Sequence, residues 1–157
     1  MIDSAPPWTP ITIAEARTVA RATLAWGREH GSGPLTSAVL DTGGHVVVLE
    51  RDDGSEFLRV DVAIAKAWGA IGMGLPSRVM GERAQHIPQF FSSLTSVAGG
   101  RLVPVPGGVL IRRDGRLIGA VGVSGDTSTV DEEAAVAAIG AAGLQPDFGQ
   151  IEEWRRP

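Results

Sequence analysis

Lys66 is the only lysine among 14 basic side chains, and it lies in the alanine-rich run Ala63-Ile64-Ala65-Lys66-Ala67. Methyl groups around an amine strip its hydration and push its pKa down, which suits Schiff-base or proton-transfer chemistry. The alternative is a lysine that snorkels to hydrogen-bond the next element. No residue adjacent in sequence would activate it for covalent use. Asp41, Asp126 and Asp131 are further groups able to move a proton, although the sequence shows no partner for Asp126 or Asp131.

Three histidines are present, His30, His45 and His86. His30 ends a helical stretch, where imidazole ordinarily meets the helix dipole. His45 follows a Gly-Gly turn and His86 lies in an irregular segment. Neutral imidazole is a common axial ligand of haem iron, so either could serve as that metal ligand. Their spacing matches no zinc motif and there is no HExxH.

Arg101 sits in Gly99-Gly100-Arg101-Leu102-Val103-Pro104. The glycines allow backbone close to a ligand, and a guanidinium can grip a carboxylate or a haem propionate with two hydrogen bonds. A loop arginine that caps carbonyls or makes a subunit salt bridge is the plainer alternative. Ser124 and Gly125 open a hydroxyl-rich turn through Ser128 before the last helix, a place for an anion or simply for a helix cap. Gly122-Val123-Ser124-Gly125 is not a nucleophile elbow, because the second glycine directly follows the serine. No Walker loop or GxGxxG appears.

The elements that must position these groups follow from periodicity. Thr12 with Glu15 three residues on reads as a capping box. It opens a helix whose face carries Ile13, Ala16, Val19, Ala20 and Leu24, ended by Gly31, Gly33 and Pro34. Leu35–Leu40 and His45–Arg51 form a hairpin over Asp41–Gly44. Phe57 to Met73 is helical, and residues 77–94 form short helical turns interrupted by Pro88. Residues 97–108 are expected to hold a short strand. Val109–Arg113 and Leu117–Val123 then pair over Asp114-Gly115, a type I′ turn signal. Ser128 or Thr129 caps a final helix through Ala142. Trp26 and Trp68 suit core or interface packing, while Trp8 and Trp154 suit docking on a neighbouring subunit. The reading divides the chain into an arm (1–11), a domain (12–144) and a tail (145–157).

Composition narrows the function classes. The 157 residues are 43% hydrophobic and 20% charged, as in an ordinary single domain. A net charge of −4 argues against nucleic acid. Without cysteine there is no disulfide or thiolate chemistry. There is no apolar run long enough for a membrane helix and no signal-like start, so a cytoplasmic protein with no membrane partner is expected.

Four blocks together resemble the GlcG/HbpS family, whose haem-degrading or haem-binding HbpS-like domain is related to the C-terminal domain of PduO. Ser37–His45 with Glu50–Gly54 is similar to the family's VVDxxGxL strand pair and RMDGA turn. Asp61–Ala67 resembles its IAxxKAxTA helix, Gly99–Val109 its GGxxPxxGGxP loop, and Gly119–Gly125 with Asp131-Glu132 its GAIGVSGxxxxxDE ending. The chain departs at Arg51-Asp52-Asp53, where the family often has an apolar residue, and at Val109-Leu110, which replaces a proline-containing pair. The resemblance implies an α+β, profilin-like fold with a roughly five-stranded antiparallel sheet flanked by helices, assembly into homo-oligomers, and a small-molecule ligand, haem or a related tetrapyrrole. It retains a lysine at Lys66, which favours a structural or ligand-orienting role there. It also marks Gly100, Gly107 and Gly108 as ligand-loop residues beside Arg101 and His45. The rival expectation is a cofactor-independent lyase or isomerase of a small organic acid. Arg101 and the Ser124–Ser128 turn would hold the carboxylate while Asp41, His45, Lys66 or Asp131 moved a proton. A purely structural subunit is the third.

Overall fold

The computed structural model describes residues 10–150; the expectations placed on Trp8 and Trp154 lie outside them. The capping box forms as the sequence predicts. The Thr12 hydroxyl accepts from the Glu15 N–H at 3.2 Å and Glu15 Oε2 accepts from the Thr12 N–H at 2.9 Å. That pair starts α1 (Ile13–Glu29), which buries Ala16, Val19, Ala20 and Leu24. Ile13 is not on the core face but 48% exposed. Ile11, still extended, takes its place, because its N–H reaches the Ile118 carbonyl at 2.8 Å and carries its side chain into the core.

Two hairpins supply four strands: β1 (Thr36–Asp41) with β2 (Val46–Arg51), and β3 (Gly108–Arg113) with β4 (Arg116–Ser124). The second turns through Asp114 at φ 50° and Gly115 at φ 75°, the paired positive angles of the expected turn. Between the hairpins run α2 (Leu58–Met73), α3 (Ser77–His86) and α4 (Pro88–Val97); α5 (Ser128–Ala141) follows β4. Thr127, not Ser128 or Thr129, caps α5, with its side chain accepting from the Val130 N–H. The strand expected within 97–108 does not form. Pro104 and Pro106 lack the N–H groups that a ladder needs. The fifth strand is β5 (Gln145–Asp147), which pairs with β3 from a segment read as tail.

The antiparallel sheet has the order β2-β1-β4-β3-β5. Alternation sends Val39, Val109, Ile111, Val121 and Val123 to one face, under α1 and α5. Ala38, Leu40, Leu110 and Ala120 point to the other, under α2. The second face is built for close approach. A Cβ on Gly122 would lie 1.8 Å from the Ala63 carbonyl oxygen, and one on Gly108 would lie 2.4 Å from that of Lys66. Helix α2 therefore rests almost backbone to backbone on β3 and β4, with Lys66 pressed against their ends.

Candidate functional site

Lys66 and Asp131 meet. The ammonium donates to Asp131 Oδ2 at 2.9 Å and to the Val123 carbonyl at 2.9 Å, and both side chains are only 2% exposed. Gly107 closes over them, since a Cβ there would come within 2.8 Å of Nζ. Asp131 Oδ1 accepts the Asp126 N–H at 2.9 Å. Burial pushes the Lys66 pKa down and the Asp131 pKa up, each opposed by the charge of the other. The pair joins α2 to α5 across the end of β4, with the amine buried. Gly107 and Gly108 serve this pair, and the Gly108 N–H donates to the Ser77 hydroxyl at 2.7 Å.

The turn that begins with Ser124 and Gly125 is also turned inward. Gly125 leaves no room for a Cβ, which would sit 2.3 Å from the Pro34 carbonyl oxygen. Asp126 accepts the Gly33 N–H at 2.8 Å and the Thr127 N–H at 2.7 Å. Those two backbone donors hold its carboxyl below the ordinary aspartate range. The Gly33, Asp126 and Thr127 N–H groups are thus engaged by the chain's own carboxylates, while the Ser124 hydroxyl accepts from Arg59 at 3.4 Å.

Arg101 and Gly100 lie elsewhere, in an open cleft of about 430 Å³ on the outer side of α2. Asp61, Val62, Ile64, Ala65 and Trp68 of α2 form its floor, and Gly44 of the β1–β2 turn and Val103 its walls. The Arg101 guanidinium carbon sits 4.0 Å from the centroid of the Trp68 ring, while Nε donates to the Ala98 carbonyl at 3.2 Å. Arg101 thus caps a carbonyl, the plainer of its two readings, and its cation is held over an aromatic face at the cleft. Trp68, read from sequence as packing, belongs to this site. Its signal was the outward spacing of Asp61, Ala65 and Trp68, three and four residues apart along α2.

His45 follows Gly44 directly, with its imidazole 82% exposed and Nδ1 3.4 Å from Asp41 Oδ1. Asp41 Oδ1 also accepts the N–H groups of Gly43 and His45 at 2.9 and 3.0 Å, so this carboxylate shapes the turn. His86 is exposed in the last turn of α3 rather than in an irregular segment; neither it nor His45 is among the residues lining the cleft, although His45 is next to Gly44, which is. His30 stacks on Trp26 at the end of α1. Among the described residues no group of three or more His, Asp or Glu side chains could hold a bare metal ion, and no helix is long and apolar enough to cross a membrane.

A family model described as haem degrading protein HbpS-like matches residues 11–140. A 15.0 kDa protein of Citrobacter freundii from the dhaT-dhaS intergenic region is 30% identical over 130 residues, covering 82% of this chain and 89% of that one. The corrinoid adenosyltransferase PduO of Salmonella typhimurium is 30% identical over 108 residues, covering 69% of this chain but only 32% of its own length. Among solved structures, a PduOC:heme complex superposes with a TM-score of 0.80 at 25% identity, covering 88% of this chain and 99% of that one.

Proposed function

This chain belongs to the HbpS-like family, and from that membership we propose that it is a small-molecule-binding protein whose ligand is haem or a related tetrapyrrole. The observation that carries the reading is the likeness to the PduOC:heme complex over 88% of the chain. The cleft on α2 is its proposed seat, and the residues there fit the group in kind. An apolar floor of Val62, Ala65 and Trp68 suits a macrocycle, and a volume of about 430 Å³ lies within the ordinary range for small-molecule sites. Arg101 offers the cation that a propionate needs. Haem would bring to the site an iron centre that takes an axial imidazole.

His45 is the better-placed imidazole. Its Nδ1 faces Asp41, which favours the tautomer with Nε2 unprotonated and ready to ligate. His86 has no comparable relation to the cleft. An open cleft would leave part of a bound plate in water, and association with a second copy would cover it.

The test is a haemin titration of the full chain followed by visible absorbance, repeated with His45→Ala, His86→Ala and Arg101→Ala. A saturable, stoichiometric Soret shift is expected from the wild type. His45→Ala should abolish or displace the ligation band, Arg101→Ala should weaken affinity by about tenfold, and His86→Ala should change nothing. A wild-type titration that never saturates overturns the reading.

A further inference from the structure

A second cleft, of about 530 Å³, opens on the opposite face of the sheet, between α1, α5 and the chain after β5. Trp26, Val136 and Phe148 give it an apolar wall, and Glu132 and Glu133 bring carboxylates to it. Glu132 is 4% exposed. Arg78 donates to it through Nε at 2.8 Å and through Nη2, but both donors share the single oxygen Oε1. The other oxygen, Oε2, is buried with no hydrogen-bond partner.

That arrangement is unbalanced. A buried carboxylate oxygen without a donor is costly, and an arginine ordinarily satisfies both oxygens side by side. Here the guanidinium is spent on one oxygen, and Glu132 is among the residues that line a cleft with an aromatic wall. Burial pushes the Glu132 pKa up, Arg78 opposes this, and Glu82 adds to it. Glu133 at the rim adds a second carboxylate to the cleft.

We propose that this cleft binds a primary ammonium group carried on a short apolar body, with the cation donating to Glu132 Oε2 and the body against Trp26, Val136 and Phe148. Trp26 is already stacked on His30, with ring centroids 4.1 Å apart, so its ring stands fixed as part of the wall. The ammonium supplies the missing donor, and Glu133 draws it in.

Isothermal titration calorimetry of the full chain with n-butylammonium chloride tests this, with n-butanol as the uncharged counterpart. Saturable one-to-one binding is expected for the ammonium and none for the alcohol. Glu132→Gln, which retains an oxygen for Arg78, should weaken binding by about tenfold or more. Ala137→Phe should abolish it by filling the cleft while Glu132 and Arg78 stay in place, with the circular dichroism spectrum unchanged. Haemin titrations of both variants should match the wild type. Absence of saturable ammonium binding, equal binding of butanol, or unaltered affinity in Ala137→Phe overturns the proposal, and Ala137→Phe decides the matter if Glu132→Gln does not fold.

Discussion

Lys66 shows how one side chain can hold two layers together. Each partner of its ion pair with Asp131 compensates a charge that burial has stripped of water. Replacing Lys66 by Met leaves the carboxylate with only the Asp126 N–H, and breaking a buried pair in this way costs about 3–5 kcal/mol. Urea unfolding should show that loss, and Lys66→Met/Asp131→Asn should recover a large part of it because no lone charge remains. A loss below about 1 kcal/mol in the single variant would contradict the structural role. Asp126 behaves differently. Its carboxyl is held low by the Gly33 and Thr127 N–H groups, so the folded state favours the ionised form. The resulting stability is present above the ordinary aspartate range near about 4 and is lost as pH falls through the lower folded value. The urea midpoint of Asp126→Asn should therefore lie below that of the wild type at pH 7, and the two should converge in strong acid. On α2, Lys66 is buried together with Ala63, Ala67 and Ala70. Its partner lies 65 residues on, a distance across which no local pattern speaks.

The elements were more legible than the contacts between them. Capping chemistry at Thr12 and the two Gly-containing hairpin turns each depend on residues near one another, and each appears where the sequence points. The misplacements have the opposite character. Gln145–Asp147 is too short to announce a strand and exists because β3 offers it an edge. Ile13 looks apolar and in phase, yet Ile11 reaches the core first. The Arg101–Trp68 stack needs the loop after α4 to return over α2, which sequence spacing cannot report. What the glycines do is also a property of packing. Gly122→Ala would drive a methyl group into the Ala63 carbonyl, so it should destabilise by at least the ~1–3 kcal/mol typical of overpacking. Gly140, helical, exposed and with nothing within 4 Å of a built Cβ, should respond in the opposite sense. Gly140→Ala should stabilise by about 0.4–1 kcal/mol through loss of backbone freedom in the unfolded chain. Thermal unfolding of the two variants side by side checks both signs.

At the scale of the whole molecule, several large apolar side chains are exposed among the described residues. Phe57 is 79% exposed, Leu58 59% and Val46 47%. Phe57 and Leu58 stand where α2 begins, just before the residues that floor the cleft on α2, and Val46 follows His45. A contiguous exposed apolar patch marks a contact surface, and these residues are the candidates for one. Sedimentation velocity of the wild type should show a homo-oligomer, and Phe57→Ser/Leu58→Ser should shift it toward monomer and weaken haemin binding together. A wild type that is monomeric at all concentrations would contradict the covering of the cleft by a second copy.

The sheet that carries α2 on one face and α1 with α5 on the other is packed on both sides, and the Lys66–Asp131 ion pair joins those two faces at the end of β4. Lys66 follows Ala65 in the floor of one cleft, and Asp131 precedes Glu132 in the lining of the other. For an engineer, that pair is the rivet to keep when either face is recut for a new guest.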